Sequence, residues 1–100
     1  MTIPVVDPDL VELAASVFAD ATDGNLWDTL EQTGLARLAV AEDAGGSGGS
    51  LLDLGAVLVE AGAAAAWAPL AETDLGCRLA AAAGLEVPAG PLTFALDAPL

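Results

Sequence analysis

Histidine is missing from this chain of 100 residues, cysteine occurs once, and lysine and arginine together number two. Without histidine, the common zinc sites and any serine or cysteine nucleophile paired with histidine are excluded. A single cysteine, Cys77, allows neither an internal disulfide nor a thiolate metal site. Arg37 and Arg78 stand against fifteen acids, which leaves a net charge of −13. Such a surface repels phosphate backbones and anionic lipid, so neither nucleic-acid binding nor membrane attachment is expected. No run is long and apolar enough to span a bilayer, because Asp53 and Glu60 interrupt the longest apolar region, 51–71. Residues 1–7 carry no base and no continuous apolar core, which excludes a signal peptide and leaves the cytoplasm as the default compartment.

What the chain does have is alanine, which makes up much of its 55% hydrophobic content. Alanine adds little buried area against an ordering cost of roughly 1.5 kcal/mol per residue. A bundle of this size and composition is marginal alone, so it is expected to act as part of a larger protein or as a subunit.

Helical signals follow one another along the chain. Asp7 is placed to cap, Pro8 to take the first helical position and Asp9 and Glu12 to face the positive end of the dipole. Leu10, Leu13, Ala14, Val17, Phe18 and Ala21 then recur at helical spacing, which predicts a helix of about 15 residues. A shorter helix is expected over 26–33, with Leu26, Trp27 and Leu30 inward and Gly34 as its stop. Four glycines at 45, 46, 48 and 49 demand a loop. Ser50 and Asp53 then form a capping-box pattern for a third helix over 51–61, ended by Gly62. That helix is apolar nearly all round, which predicts neighbours on several sides and a place at the centre of the bundle. A fourth helix is expected over 63–83, with Pro69 in its first turn and Gly84 at its end. Residues 92–96 alternate as a β-strand would, yet nothing else in the chain offers that strand a partner.

The fold class expected is therefore all-α, a small bundle of about four helices over 8–84, with an orphan C-terminal strand leading toward a β domain that is missing here. Residues 1–90 read as the helical domain and 91–100 as the first strand of the next.

Read together, these stretches resemble the N-terminal helical domain of the acyl-CoA dehydrogenase family. The resemblance runs from about residue 10 to 99 and rests on order as much as on one motif. Gly34-Leu35 is followed by Val40, Glu42 and the glycines at 45, 46 and 48, then by the third helix ending in Glu60, Ala61 and Gly62. Gly76, Gly84, Phe94, Ala95, Leu96 and Pro99 follow in the family's order. Ala41 replaces the usual proline, and Asp97 and Ala98 replace a Thr-Glu pair at the entry to the flavin-binding strand.

In that family FAD sits in a central β domain, and a glutamate in a C-terminal helical domain removes the α-proton of an acyl-CoA while hydride leaves to the flavin. The resemblance thus implies that this chain ends before the flavin site and before the catalytic base. It implies an acyl-CoA substrate, a homo- or hetero-oligomer as partner state, and FAD in the full-length parent rather than on this chain alone. Trp67, Leu70 and Ala71 match positions at the far end of the acyl pocket, with Trp67 and Ala71 expected on one helical face; a tryptophan packed in the bundle is the structural alternative.

Two other readings stay open. Ser50 before two leucines is similar to the phosphopantetheine site of peptidyl carrier proteins, although Gly49 stands where such carriers have an aspartate or histidine, and helix capping alone accounts for the serine. The chain is also readable as a non-catalytic interaction or oligomerisation domain, since an apolar helix with few neighbours leaves a patch. Paired acids such as Glu42 with Asp43 lack the ligand count that calcium asks for. Cys77 reads as a small buried residue with no base but Arg78 beside it.

Overall fold

The computed structural model describes residues 6–20 and 24–92. Four α-helices occur among them: α1 (Pro8–Ala19), α2 (Leu26–Thr33), α3 (Leu51–Ala63) and α4 (Leu70–Ala82). Short 3₁₀ turns at Leu35–Arg37 and Glu42–Ala44 lie between α2 and α3. The all-α class and the helix count agree with the sequence reading. Residues 93–96 of the expected strand lie outside the described residues, and Leu92 is not in a strand.

Local chemistry sets most of the helix ends. The Asp7 carboxylate accepts from the Asp9 amide at 2.9 Å with Pro8 in the first turn, as the sequence indicates. Helix α1 stops at Ala19, earlier than its periodicity suggested, and Asp20 donates its amide to Ser16 O. Helix α2 ends where Gly34 turns left-handed at φ 82°, a conformation that costs glycine nothing. Both halves of the capping box close on α3: Ser50 Oγ accepts from Asp53 N at 3.1 Å, and Ser50 N donates to Asp53 Oδ2 at 2.9 Å.

The glycine loop doubles back on the segment before it. Ser47 N, Gly48 N and Gly49 N donate to the carbonyls of Arg37, Val40 and Leu38. A Cβ on Gly46 would stand 2.1 Å from Val40 O, so this position requires glycine for close backbone approach rather than for its φ.

Two helix boundaries differ from expectation. Gly62 does not end α3, which runs on through Ala63; the left-handed residue is Ala65 at φ 52°, and Ala66 N closes the turn on Ala61 O at 2.9 Å. The tract 63–69 is accordingly not the start of α4. Pro69 has no amide to donate and disfavours helix at Ala68, so the alanines finish one helix and cross to the next instead of joining them.

The core forms where α1, α2, the inner face of α3, the first 3₁₀ turn and the start of α4 converge. Ala14, Val17, Phe18, Leu30, Leu35, Ala36, Val57, Ala61 and Leu70 make one buried cluster, with Trp27 partly buried against it. Full burial of a leucine such as Leu30 stabilises by about 2 kcal/mol. Helix α3 is not the centre of this bundle. It contributes Leu54, Val57 and Ala61 inward against α1 and α4, while Leu51, Leu52, Leu58 and Val59 face outward, because the remaining helices are too short and too few to surround it.

Beyond α4, Gly84 turns left-handed at φ 72° and residues 85–92 return along the bundle as an extended strap. Leu92 lies over Gly76, close enough that a Cβ there would meet Leu92 Cβ at 3.2 Å. The Thr73 hydroxyl, fully buried, accepts from Leu92 N at 3.0 Å.

Candidate functional site

Trp67 sits in the extended crossing between α3 and α4 and is 85% exposed. The alternative that it packs in the bundle is overturned: Ala66 and Ala68 on either side of it pack against the core, while the Trp67 side chain faces away from it. Its position outside α4 also means that Trp67 and Ala71 do not share a helical face. Leu70 is fully buried in the core cluster, and Ala71 is exposed on the first turn of α4. Trp67 borders a hollow of about 250 Å³, lined with it by Gly24, Leu26, Trp27, Ala68, Pro69 and Pro91. Two indoles and two prolyl rings thus converge on a space with one exposed tryptophan at its rim. The Trp27 indole N–H is buried without a hydrogen-bond partner.

Ser50 lies exposed at the opposite approach to α3, with its hydroxyl oxygen and its amide both engaged by Asp53. Glu42 and Asp43 are exposed on the second 3₁₀ turn. Among the described residues no three of His, Cys, Asp and Glu come together in a way that could hold a metal ion. No helix of the described residues is long and apolar enough to cross a membrane.

The sequence reading missed what the two arginines do. Arg37 reaches 40 residues along the chain to donate to Cys77 Sγ, and its Nη2 donates to the carbonyls of Pro88 at 3.1 Å and Gly90 at 2.8 Å. Cys77 is fully buried, and the base beside it is therefore Arg37, not its sequence neighbour alone. Arg78 pairs with the buried Asp74 at 2.9 Å and donates to Ala39 O at 2.7 Å. Asp74 Oδ1 stays without a partner. Each guanidinium thus ties the segment between α2 and α3 to α4 or to the strap. The available signal was their rarity: a lone Arg37 inside an apolar run from Leu35 to Val40 has to be paired.

Comparison with known proteins agrees with the helical order. A family model described as "Acyl-CoA dehydrogenase, N-terminal domain" matches residues 5–87. The acyl-CoA dehydrogenase IpdE2 of Mycolicibacterium smegmatis is 48% identical over 54 residues, which cover 53% of this chain and 17% of that protein. No solved structure matches the chain significantly.

Proposed function

Since this chain belongs to the acyl-CoA dehydrogenase family through its N-terminal domain, we propose that it supplies the helical scaffold and part of the acyl pocket of an FAD-dependent enzyme that desaturates an acyl-CoA thioester between the α and β carbons. The aligned part spans 17% of the matched relative. In this reading residues 1–90 are the helical domain, 91–100 open the flavin-binding domain, and the protein works in the cytoplasm as a homo- or hetero-oligomer.

The observation that carries the proposal is Trp67. A large aromatic left 85% exposed, at the rim of a hollow otherwise lined by apolar groups, is unusual for a side chain that is mostly buried in folded proteins. An acyl tail entering the hollow would cover the indole, and the bulk of Trp67 would favour a short or bent acyl group. Leu70, buried in the core, and Ala71, exposed on the first turn of α4, do not line this hollow.

FAD supplies hydride acceptance when bound, but the described residues do not fit its pyrophosphate. Both guanidinium groups are committed to internal partners, and the Ser50 and Asp53 amides at the start of α3 are taken up by the capping box. Ser50 is better read as this cap than as a phosphopantetheine carrier, because it lies within the family match over residues 5–87 and its hydroxyl and amide are both engaged by Asp53.

Activity assays on Trp67→Ala in the flavoprotein containing this domain test the reading. Flavin bleaching by acyl-CoA thioesters of graded length should shift its preference toward longer or bulkier acyl groups. An unchanged preference would remove Trp67 from the pocket.

A further inference from the structure

Of the strap 85–92, Pro91 is the residue that lines the hollow bordered by Trp67. It has no amide hydrogen with which to hold itself in place, so its neighbours have to hold it. Both of them are gripped. On one side Arg37 Nη2 donates to Gly90 O at 2.8 Å; on the other Leu92 N donates to Thr73 Oγ1 at 3.0 Å, and that hydroxyl lies 3.5 Å from Leu92 O. The two anchors are set firmly in the bundle: Thr73 is fully buried on α4, and the Arg37 side chain is only 11% exposed. Gly76, three residues after Thr73 and so on the same face of α4, leaves the space in which Leu92 sits.

Leu26, Trp27 and Ala68, on the same lining, pack against the core cluster and take their places from it. Pro91 is exposed and is no part of that cluster, so its place depends on hydrogen bonds to its neighbours rather than on packing. Because the prolyl ring fixes φ, a shift of Gly90 or Leu92 carries the ring with it. We propose that Arg37 and Thr73 are positioning residues that set the width of the hollow through Pro91, and with it the length and bulk of the acyl group accepted. The inference rests on the reading of this hollow as part of an acyl pocket. Neither side chain lines the hollow, and both act through the strap alone. Loosening either grip frees Pro91 to move outward and widens the space beside Trp67.

The test uses the flavoprotein containing this domain and straight-chain acyl-CoA thioesters of graded length, read by steady-state turnover. Thr73→Val keeps the shape and removes the hydroxyl; it should raise the kcat/KM ratio of long to short acyl groups by about fivefold or more, against the roughly 10–200-fold that one methylene is worth in an apolar pocket. The change should fall on KM for the long thioesters rather than on kcat. Arg37→Lys keeps the charge but cannot fork, and should shift the ratio in the same direction. Thr73→Ser, which retains the hydroxyl, should return the ratio to that of the parent. Either Thr73→Val or Arg37→Lys decides the test if the other fails to fold. Ser50→Ala weakens the cap of α3 instead of the strap and should leave the ratio unchanged. Trp67→Ala separates the positioning role from the pocket beneath it. A shift in Trp67→Ala with none in Thr73→Val or Arg37→Lys would overturn the positioning role and leave the pocket standing. No shift in Trp67→Ala would overturn the pocket and the positioning role with it. An equal shift in Ser50→Ala, or a loss of turnover by the same factor at every length, would assign the effect to general destabilisation and overturn the positioning role.

Discussion

Replacing Arg37 by methionine removes the fork that holds the strap 85–92 to the bundle while keeping most of the side-chain volume. Three contacts disappear: the donations to Pro88 O, Gly90 O and Cys77 Sγ. A hydrogen bond from a charged donor contributes about 1.5–3 kcal/mol net. Pro88 is exposed, so its carbonyl regains water, and the ion pair with Glu31 at 3.7 Å involves a carboxylate already 37% exposed and adds little. Counting chiefly the Gly90 bond, the loss comes to about 2–3 kcal/mol. That is a large share of the ~5–15 kcal/mol typical of a whole domain. Urea unfolding followed by circular dichroism should show a midpoint lower by about 1–2 M, given a typical slope of ~1–3 kcal/mol/M. Arg37→Lys should recover only part of it, because an ammonium cannot fork to two carbonyls and a sulfur at once. Thr73→Val loosens the same strap at Leu92 N, so the two losses should be less than additive by on the order of 1 kcal/mol. A midpoint for Arg37→Met within about 0.3 M of the parent would refute the clamp, since it would correspond to less than about 1 kcal/mol at that slope.

Three further substitutions probe the backbone. Gly46→Ala drives a methyl group onto Val40 O and should destabilise by about 3 kcal/mol or more, readable as a collapsed thermal transition. Ser50→Ala opens the cap on α3 and should cost about 1 kcal/mol in chemical denaturation without altering the core. Ala65→Gly relieves a left-handed alanine but frees the unfolded chain, so a small gain of about 0.5–1 kcal/mol in the same experiment is expected.

The parts of this molecule visible in its sequence are those made by neighbours along the chain. Asp7 with Pro8, Gly34 after α2 and the Ser50–Asp53 box each act within a few residues, so their identity is enough to locate a helix end. Gly62 and Pro69 misled because either end of the alanine tract offers a plausible boundary, and the choice fell to Ala65, a residue whose identity gives no warning of a positive φ. The candidate pocket was half legible. Position along the family pattern pointed to Trp67, Leu70 and Ala71, but periodicity placed Trp67 on a helix that begins three residues later.

Helix number, class, acidity and family membership were thus determined by the sequence alone, since caps, apolar spacing, charge count and motif order are properties of the chain read in one dimension. Which face of α3 turns inward, which tryptophan stands in solvent and what the two arginines hold were decided only by the tertiary structure. Those outcomes depend on contacts such as Arg37 to Cys77 and Gly90, 40 and 53 residues apart, where the cost of burying a charge is met by carbonyls that only the folded chain brings within reach.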